Sequence, residues 1–192
     1  MLRGLYDWTM SLAAHRHAVW WLAAISFIES SFFPIPPDVL MIPMILAARD
    51  RAWWFATVAT VASVLGGYLG YVIGFFLFET VGQAVIDFYR LQEGFVTFRD
   101  TFNTYGGWIV LIKGMTPIPY KLITITAGVT HLDLGVFTVS SLGSRAIRFF
   151  LVAALLWQFG PPIRDFIERR LKLVTTAFVA ALVGGFLVLK WL

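Results

Sequence analysis

Glu29-Ser30-Ser31-Phe32-Phe33-Pro34-Ile35-Pro36-Pro37-Asp38 interrupts a stretch that is otherwise apolar from Ala18 to Ala48. Two carboxylates and three prolines stand inside a segment long enough to enter a bilayer. Proline removes a backbone donor and breaks a helix. Lipid cannot satisfy the freed carbonyls, so such backbone must be buried in protein or line a wet cavity. The reading is a re-entrant hairpin over residues 18–48, entering and leaving the membrane by one face, with Pro34, Pro36 and Pro37 in its break.

A second stretch, Trp108 to Gly128, is broken in the same way by Lys113, Pro117, Pro119 and Lys121. Six of the eight prolines fall in these two stretches. Pro34-Ile35-Pro36 aligns with Pro117-Ile118-Pro119, which sets Asp38 opposite Lys121 and Asp50 opposite Asp133. Each copy leads through a short polar turn into a long apolar span. A duplicated unit of roughly 45 residues suits the repeated halves of a transporter.

The positive-inside rule tests whether the halves are inverted. With the first hairpin open to the cytoplasm, that side carries Arg3, Arg16, Arg49, Arg51, Arg164, Arg169, Arg170 and Lys172. The outside carries only Arg90, Arg99 and Lys190. The asymmetry favours two hairpins facing each other from opposite sides, with the N-terminus cytoplasmic.

Composition agrees with this membrane setting. The 192 residues are 59% hydrophobic and 14% charged, against roughly 45–50% and 25% in soluble domains, and the mean hydropathy is +0.79. The basic residues behind the net charge of +4 are scattered, which reads as membrane orientation and headgroup contact rather than nucleic-acid binding. No cysteine is present, so disulfides and thiolate metal sites are excluded, and nothing implies a metal or another cofactor.

The expected fold is therefore an all-α integral membrane protein. Residues 1–17 form an interfacial amphipathic helix without a signal-peptide pattern. A membrane domain over 18–160 holds the hairpin 18–48, a transmembrane helix 52–78, an amphipathic segment 79–107, the hairpin 108–128 and a transmembrane helix 135–159. An amphipathic helix over 161–173 and a C-terminal transmembrane helix over 174–192 complete the chain. The tryptophans, among them Trp20, Trp21, Trp53, Trp54, Trp108 and Trp157, sit near segment ends, as in an aromatic belt.

Ionisable groups inside a span are expensive and point to function. Glu29 and Asp38 can take up and release protons as their surroundings change; the plainer alternative is a helix cap at Asp38, or pairing of both with lysines. Lys113, Lys121, Arg145 and Arg148 place four cations against these two anions. Pairing alone does not need that excess, whereas a phosphate would neutralise it, and the arginine fork suits phosphate. Arg145 and Arg148 at an interface, snorkelling to water, is the alternative. Gly66, Gly70 and Gly74 recur every fourth residue and read as a close-packing face. His131 beside Asp133 reads as solvated, with a proton relay as the sharper option.

These motifs together resemble the DedA family, the bacterial branch of the VTT-domain (SNARE-associated Golgi protein) superfamily. The first signature is Glu29 through Pro34-Ile35-Pro36-Pro37 to Asp38, followed by the glycine-rich Gly66-Gly67-Tyr68-Leu69-Gly70-Tyr71. The second is Lys113-Gly114-Met115-Thr116-Pro117-Ile118-Pro119-Tyr120-Lys121, whose Thr116–Lys121 part is similar to the YqaA-like subgroup. The resemblance spans about residues 20–160. It departs from better-known members in having lysines where they have arginines, and in a shorter gap between Glu29 and Asp38. Lysine lacks the bidentate fork, which bears on headgroup preference.

The resemblance implies a transporter in the bacterial inner membrane that translocates undecaprenyl phosphate or a phospholipid, coupled to protons. Eukaryotic relatives are lipid scramblases. Two other classes stand beside it: a proton-coupled exporter of small ions or solutes, and a non-transporting assembly factor. An enzyme is not expected. A membrane phosphatase lacks the histidines it needs, Ser144 with His131 has no supporting protease motif, and neither HExxH nor a Walker A sequence occurs.

Overall fold

The computed structural model describes residues 17–31, 36–115 and 119–169. The expected helices at 1–17 (His17 apart) and 174–192, and the prolines Pro34 and Pro117, lie outside them. Among the described residues every regular element is helical. They are α1 (Ala18–Ser31), α2 (Asp38–Ala47), α3 (Ala52–Leu77), α4 (Gln83–Tyr89), α5 (Gln92–Met115), α6 (Tyr120–Val129) and α7 (Leu134–Arg169).

Local chemistry sets the boundaries. α2 starts directly after Pro37, with Asp38 in its first turn, where a carboxylate complements the helix dipole. The 3₁₀ turn Arg49–Arg51 then leads into α3. In the second half, Pro119 holds an extended backbone before α6. His131 takes a left-handed conformation at φ 56°, and the Asp133 carboxylate caps α7 by accepting from the Val136 N–H at 2.9 Å.

The amphipathic segment divides differently from the sequence expectation. Phe78–Gly82 continues α3 as a π-helical turn into α4, and α5 runs from Gln92 to Met115 without a break at Gly107. The Leu132 and Val136 side chains cover Gly106 and Gly107, so this glycine pair is packed and the helix persists through it. α7 likewise continues to Arg169, past a kink at Phe159. The kink has a chemical cause. Pro161 has no N–H to offer the Trp157 carbonyl, and the Arg49 guanidinium donates to that oxygen instead.

Two segments are long and apolar enough to cross a membrane: Arg49–Gly82, of 34 residues, and Leu134–Gly160, of 27. Their outward faces are apolar at helical spacing, with Val61, Leu65, Val72 and Phe76 exposed on α3 and Val139, Ile147, Leu151 and Leu155 on α7. Such continuous stripes call for lipid as the solvent. By contrast α2 and α6 have ten residues each, about 15 Å of rise and half a hydrocarbon core.

α3 and α7 pack against each other at the centre. α1 packs along α3 and α5 along α7, while the short helices exchange: α6 lies on α3, and α2 on α7. α5 and α7 run in the same direction, since Gly107 abuts Ser140, Leu111 abuts Gly143 and Gly114 abuts Ser144. One apolar core joins Leu22, Met41, Met44, Ile45 and Phe55 to Phe149 and Leu156 on the late part of α7. The other joins Tyr71, Val110, Tyr120 and Ile123 to Phe137 on its early part.

Gly66, Gly70 and Gly74 lie where this packing is closest. A methyl group at Gly66 would fall on the Phe27 carbonyl, one at Gly70 on the Thr124 hydroxyl and one at Gly74 on the Ile125 carbonyl. The glycine face of α3 thus receives both α1 and α6.

Candidate functional site

Between the two cores lies a polar layer. Ser26, Ser30, Ser31, Ser63, Thr124, Ser141, Ser144 and Arg145 are all fully buried. The layer forms where the ends of α1 and α6 meet. The Thr124 hydroxyl donates to the Ser30 carbonyl at 3.2 Å, and the Ser31 hydroxyl to the Gly66 carbonyl at 2.9 Å. Ser30 and Ser63 share a hydroxyl–hydroxyl hydrogen bond of 2.6 Å.

Arg145 and Arg148 enter this region from α7, three residues apart and so on one side of the helix. Arg148 makes a short charge-assisted bond, Nη2 to Asp38 Oδ2, at 2.5 Å. Arg145 is held differently. Its Nη1 lies 4.0 Å from Glu29 Oε2, beyond hydrogen-bond range, and its guanidinium stacks 3.5 Å over the Tyr120 ring centre. None of the Arg145 nitrogens has a hydrogen-bond partner of acceptable geometry among the described residues. Glu29 Oε2 instead accepts from the Ser30 hydroxyl at 3.2 Å.

The two arginines therefore each face one carboxylate. Lys113 is exposed in the last turn of α5, and Lys121 is half-buried in the first turn of α6. They flank the second break, where Thr124 also donates to the Lys121 carbonyl at 3.0 Å. Pro36, Pro37 and Pro119 sit immediately before the short helices. His131 stacks on Phe75 at 4.5 Å. It precedes α7, whereas Arg145 stands eleven residues beyond Leu134, roughly 16 Å of helical rise. Ser144 stands ten residues beyond Leu134, so these two residues, Ser144 and His131, are likewise far apart and do not pair.

Sequence reasoning gave Tyr120 and Ser141 no role and weighed Ser144 only as a protease nucleophile, yet Tyr120 stacks on the Arg145 guanidinium, Ser141 approaches Tyr120 and Ser144 lies beside Tyr120 at Gly114. A signal for two of them was present. Ser141, Ser144, Arg145 and Arg148 recur at spacings of three and four in an apolar span, the pattern of a polar stripe on one helical face.

A helical protein with lipid-facing apolar stripes and an ionised layer between two cores is a membrane protein built around buried charge. Residues 35–158 match the VTT domain family; the chain belongs to this family, the DedA family. An uncharacterized protein of Haemophilus influenzae is 36% identical over 97% of this chain and 96% of its own. A related uncharacterized protein of Histophilus somni is 38% identical over 97% of each. Undecaprenyl phosphate transporter A of Staphylococcus aureus is 32% identical over 54% of this chain and 49% of its own. No solved structure matches the chain.

Proposed function

We propose that this protein translocates a phosphate-bearing lipid, a phospholipid or undecaprenyl phosphate, across the bacterial inner membrane, with protonation of Glu29 and Asp38 driving or gating its passage. The observation that carries the reading is Arg145, a fully buried guanidinium with no hydrogen bond of acceptable geometry among the described residues. An arginine at a helix centre costs roughly 2.5–3.5 kcal/mol on insertion scales. A purely structural pair would recover that cost through close hydrogen bonds, yet Glu29 stops at 4.0 Å. An anion arriving from the lipid would complete the set, with Lys113, Lys121 and Arg148 adding positive potential nearby.

The proposed route follows from the breaks. In this reading 18–48 and 108–128 are opposed re-entrant hairpins of an inverted repeat. The equal lengths of α2 and α6 and their exchanged packing support it. A headgroup crosses at the polar layer while its chains stay in lipid. The orientation from charge asymmetry puts the N-terminus and the first hairpin on the cytoplasmic side. The transporter name of the Staphylococcus aureus relative points the same way.

Proteoliposomes containing undecaprenyl phosphate or fluorescent phospholipids, with and without a pH gradient, test the proposal. Translocation is expected from the unaltered protein and its loss from Glu29→Gln, Asp38→Asn and Lys121→Ala. Folded, inserted protein that moves no lipid would reject it, in favour of solute export or an assembly role.

A further inference from the structure

The hydroxyls of Tyr120, Ser141 and Ser144 are buried, and among the described residues none makes a hydrogen bond of acceptable geometry, although Tyr120 lies close enough to Ser141 and Arg145 to interact with both. All three lie around Arg145. Ser141 is one helical turn before it and Ser144 is its immediate neighbour. Gly114 brings the other two together: the point where a side chain would begin there is 3.3 Å from Tyr120 Cε2 and against Ser144 Oγ. The Tyr120 ring covers one face of the guanidinium, so the five N–H donors act in its plane.

A single unmatched buried hydroxyl is a local defect with a free-energy cost. Three of them around an unmatched guanidinium make a donor set that lacks its acceptor. A phosphodiester offers two unesterified oxygens and one charge. A phosphomonoester offers three such oxygens and close to two charges at neutral pH, and so uses more of these donors. A zwitterionic headgroup would also bring an ammonium towards Arg145 and Arg148, an unfavourable like-charge approach.

We propose that Arg145, Tyr120, Ser141 and Ser144 form the seat of a phosphomonoester, the three hydroxyls selecting it over a phosphodiester. This rests on the lipid-transport reading for entry from the bilayer. The same chemistry is presented by a lipid phosphomonoester and by free phosphate.

The test uses the full chain in nanodiscs of neutral lipid, titrated with phosphatidic acid, undecaprenyl phosphate, phosphatidylglycerol and inorganic phosphate. The two monoester lipids are expected to bind at least about tenfold tighter than phosphatidylglycerol. Tyr120→Phe and Ser141→Ala are each expected to weaken monoester binding several-fold and reduce that preference. Their ligand-free unfolding temperature should stay level or rise, because an unmatched hydroxyl is removed; a merely structural role predicts a fall without change in preference. Should Ser141→Ala fail to fold, Tyr120→Phe alone decides.

Equal affinity for monoester and diester lipids, or hydroxyl variants that bind like the parent, would overturn the inference. Lipid translocation measured in the same preparation would survive that result. Inorganic phosphate bound with the same hydroxyl dependence, without lipid binding, would support the seat while rejecting the lipid route.

Discussion

The Thr124 hydroxyl reaches the Ser30 carbonyl at 3.2 Å, joining the end of α1 to the start of α6 across Gly70 of α3. This contact needs a helix surface without side chains. A Cβ at Gly66 would meet the Phe27 backbone, which cannot move independently of α1, whereas one at Gly67 would find Thr124 Cγ2 at 3.4 Å, an ordinary contact. Gly66→Ala is therefore expected to cost at least about 2 kcal/mol through overpacking. Gly67→Ala is expected to be nearly neutral. Reversible unfolding in detergent measures both, and equal losses would contradict the packing argument.

Asp38 and Arg148 make the tight ion pair of the polar layer, at 2.5 Å, with both side chains only partly screened. A double-mutant cycle with Asp38→Asn and Arg148→Gln should return a coupling of about 1.5–3 kcal/mol, the range for hydrogen bonds to charged groups. A coupling near zero would mean that the pair is no stronger than an exposed surface bridge.

Glu29 and Arg145 are predicted to behave in the opposite sense. Two charges lie in or beside a buried layer without a direct bond, so their desolvation is poorly compensated. Replacing both by uncharged groups, Glu29→Gln with Arg145→Met, is expected to raise stability by about 1–4 kcal/mol and abolish lipid translocation. Arg145→Met alone strands the Glu29 carboxylate and should gain less. A double variant that unfolds more readily than the parent would show that the pair is structural.

Much of this architecture was readable from residue types whose effects are local. Clustered prolines withhold several backbone donors at once, so the breaks before Asp38 and Tyr120 followed from the chain itself, whereas the lone Pro43 is carried inside α2. The recurrence of Gly66, Gly70 and Gly74 likewise marked a face. The partners on that face were not readable, because the exchange of α2 and α6 between the two long helices depends on tertiary packing. The counting of four cations against two carboxylates also hid an asymmetry. Arg148 is tightly bonded and Arg145 is not, a distinction set by where α1 and α2 present their carboxylates. Tyr120 sat in a quoted motif, but only the fold brings its ring beneath a guanidinium eleven residues into α7.

A kink at Phe159 ends the second long span. Pro161 deprives the Trp157 carbonyl of its helical donor, and Arg49, from the turn between α2 and α3, donates to it. Losing that side chain leaves the carbonyl dependent on whatever water reaches it. Arg49→Met is expected to cost about 0.5–1.5 kcal/mol, the net worth of a typical hydrogen bond, because the contact is exposed. Pro161→Ala restores a backbone N–H four residues after Trp157, so in that background the same Arg49 change should cost less than about 0.5 kcal/mol. Unfolding of the four proteins in one detergent measures the cycle. If Arg49→Met is equally costly with alanine at 161, the guanidinium stabilises the turn by packing on Gly160 and not by replacing the donor that proline removes.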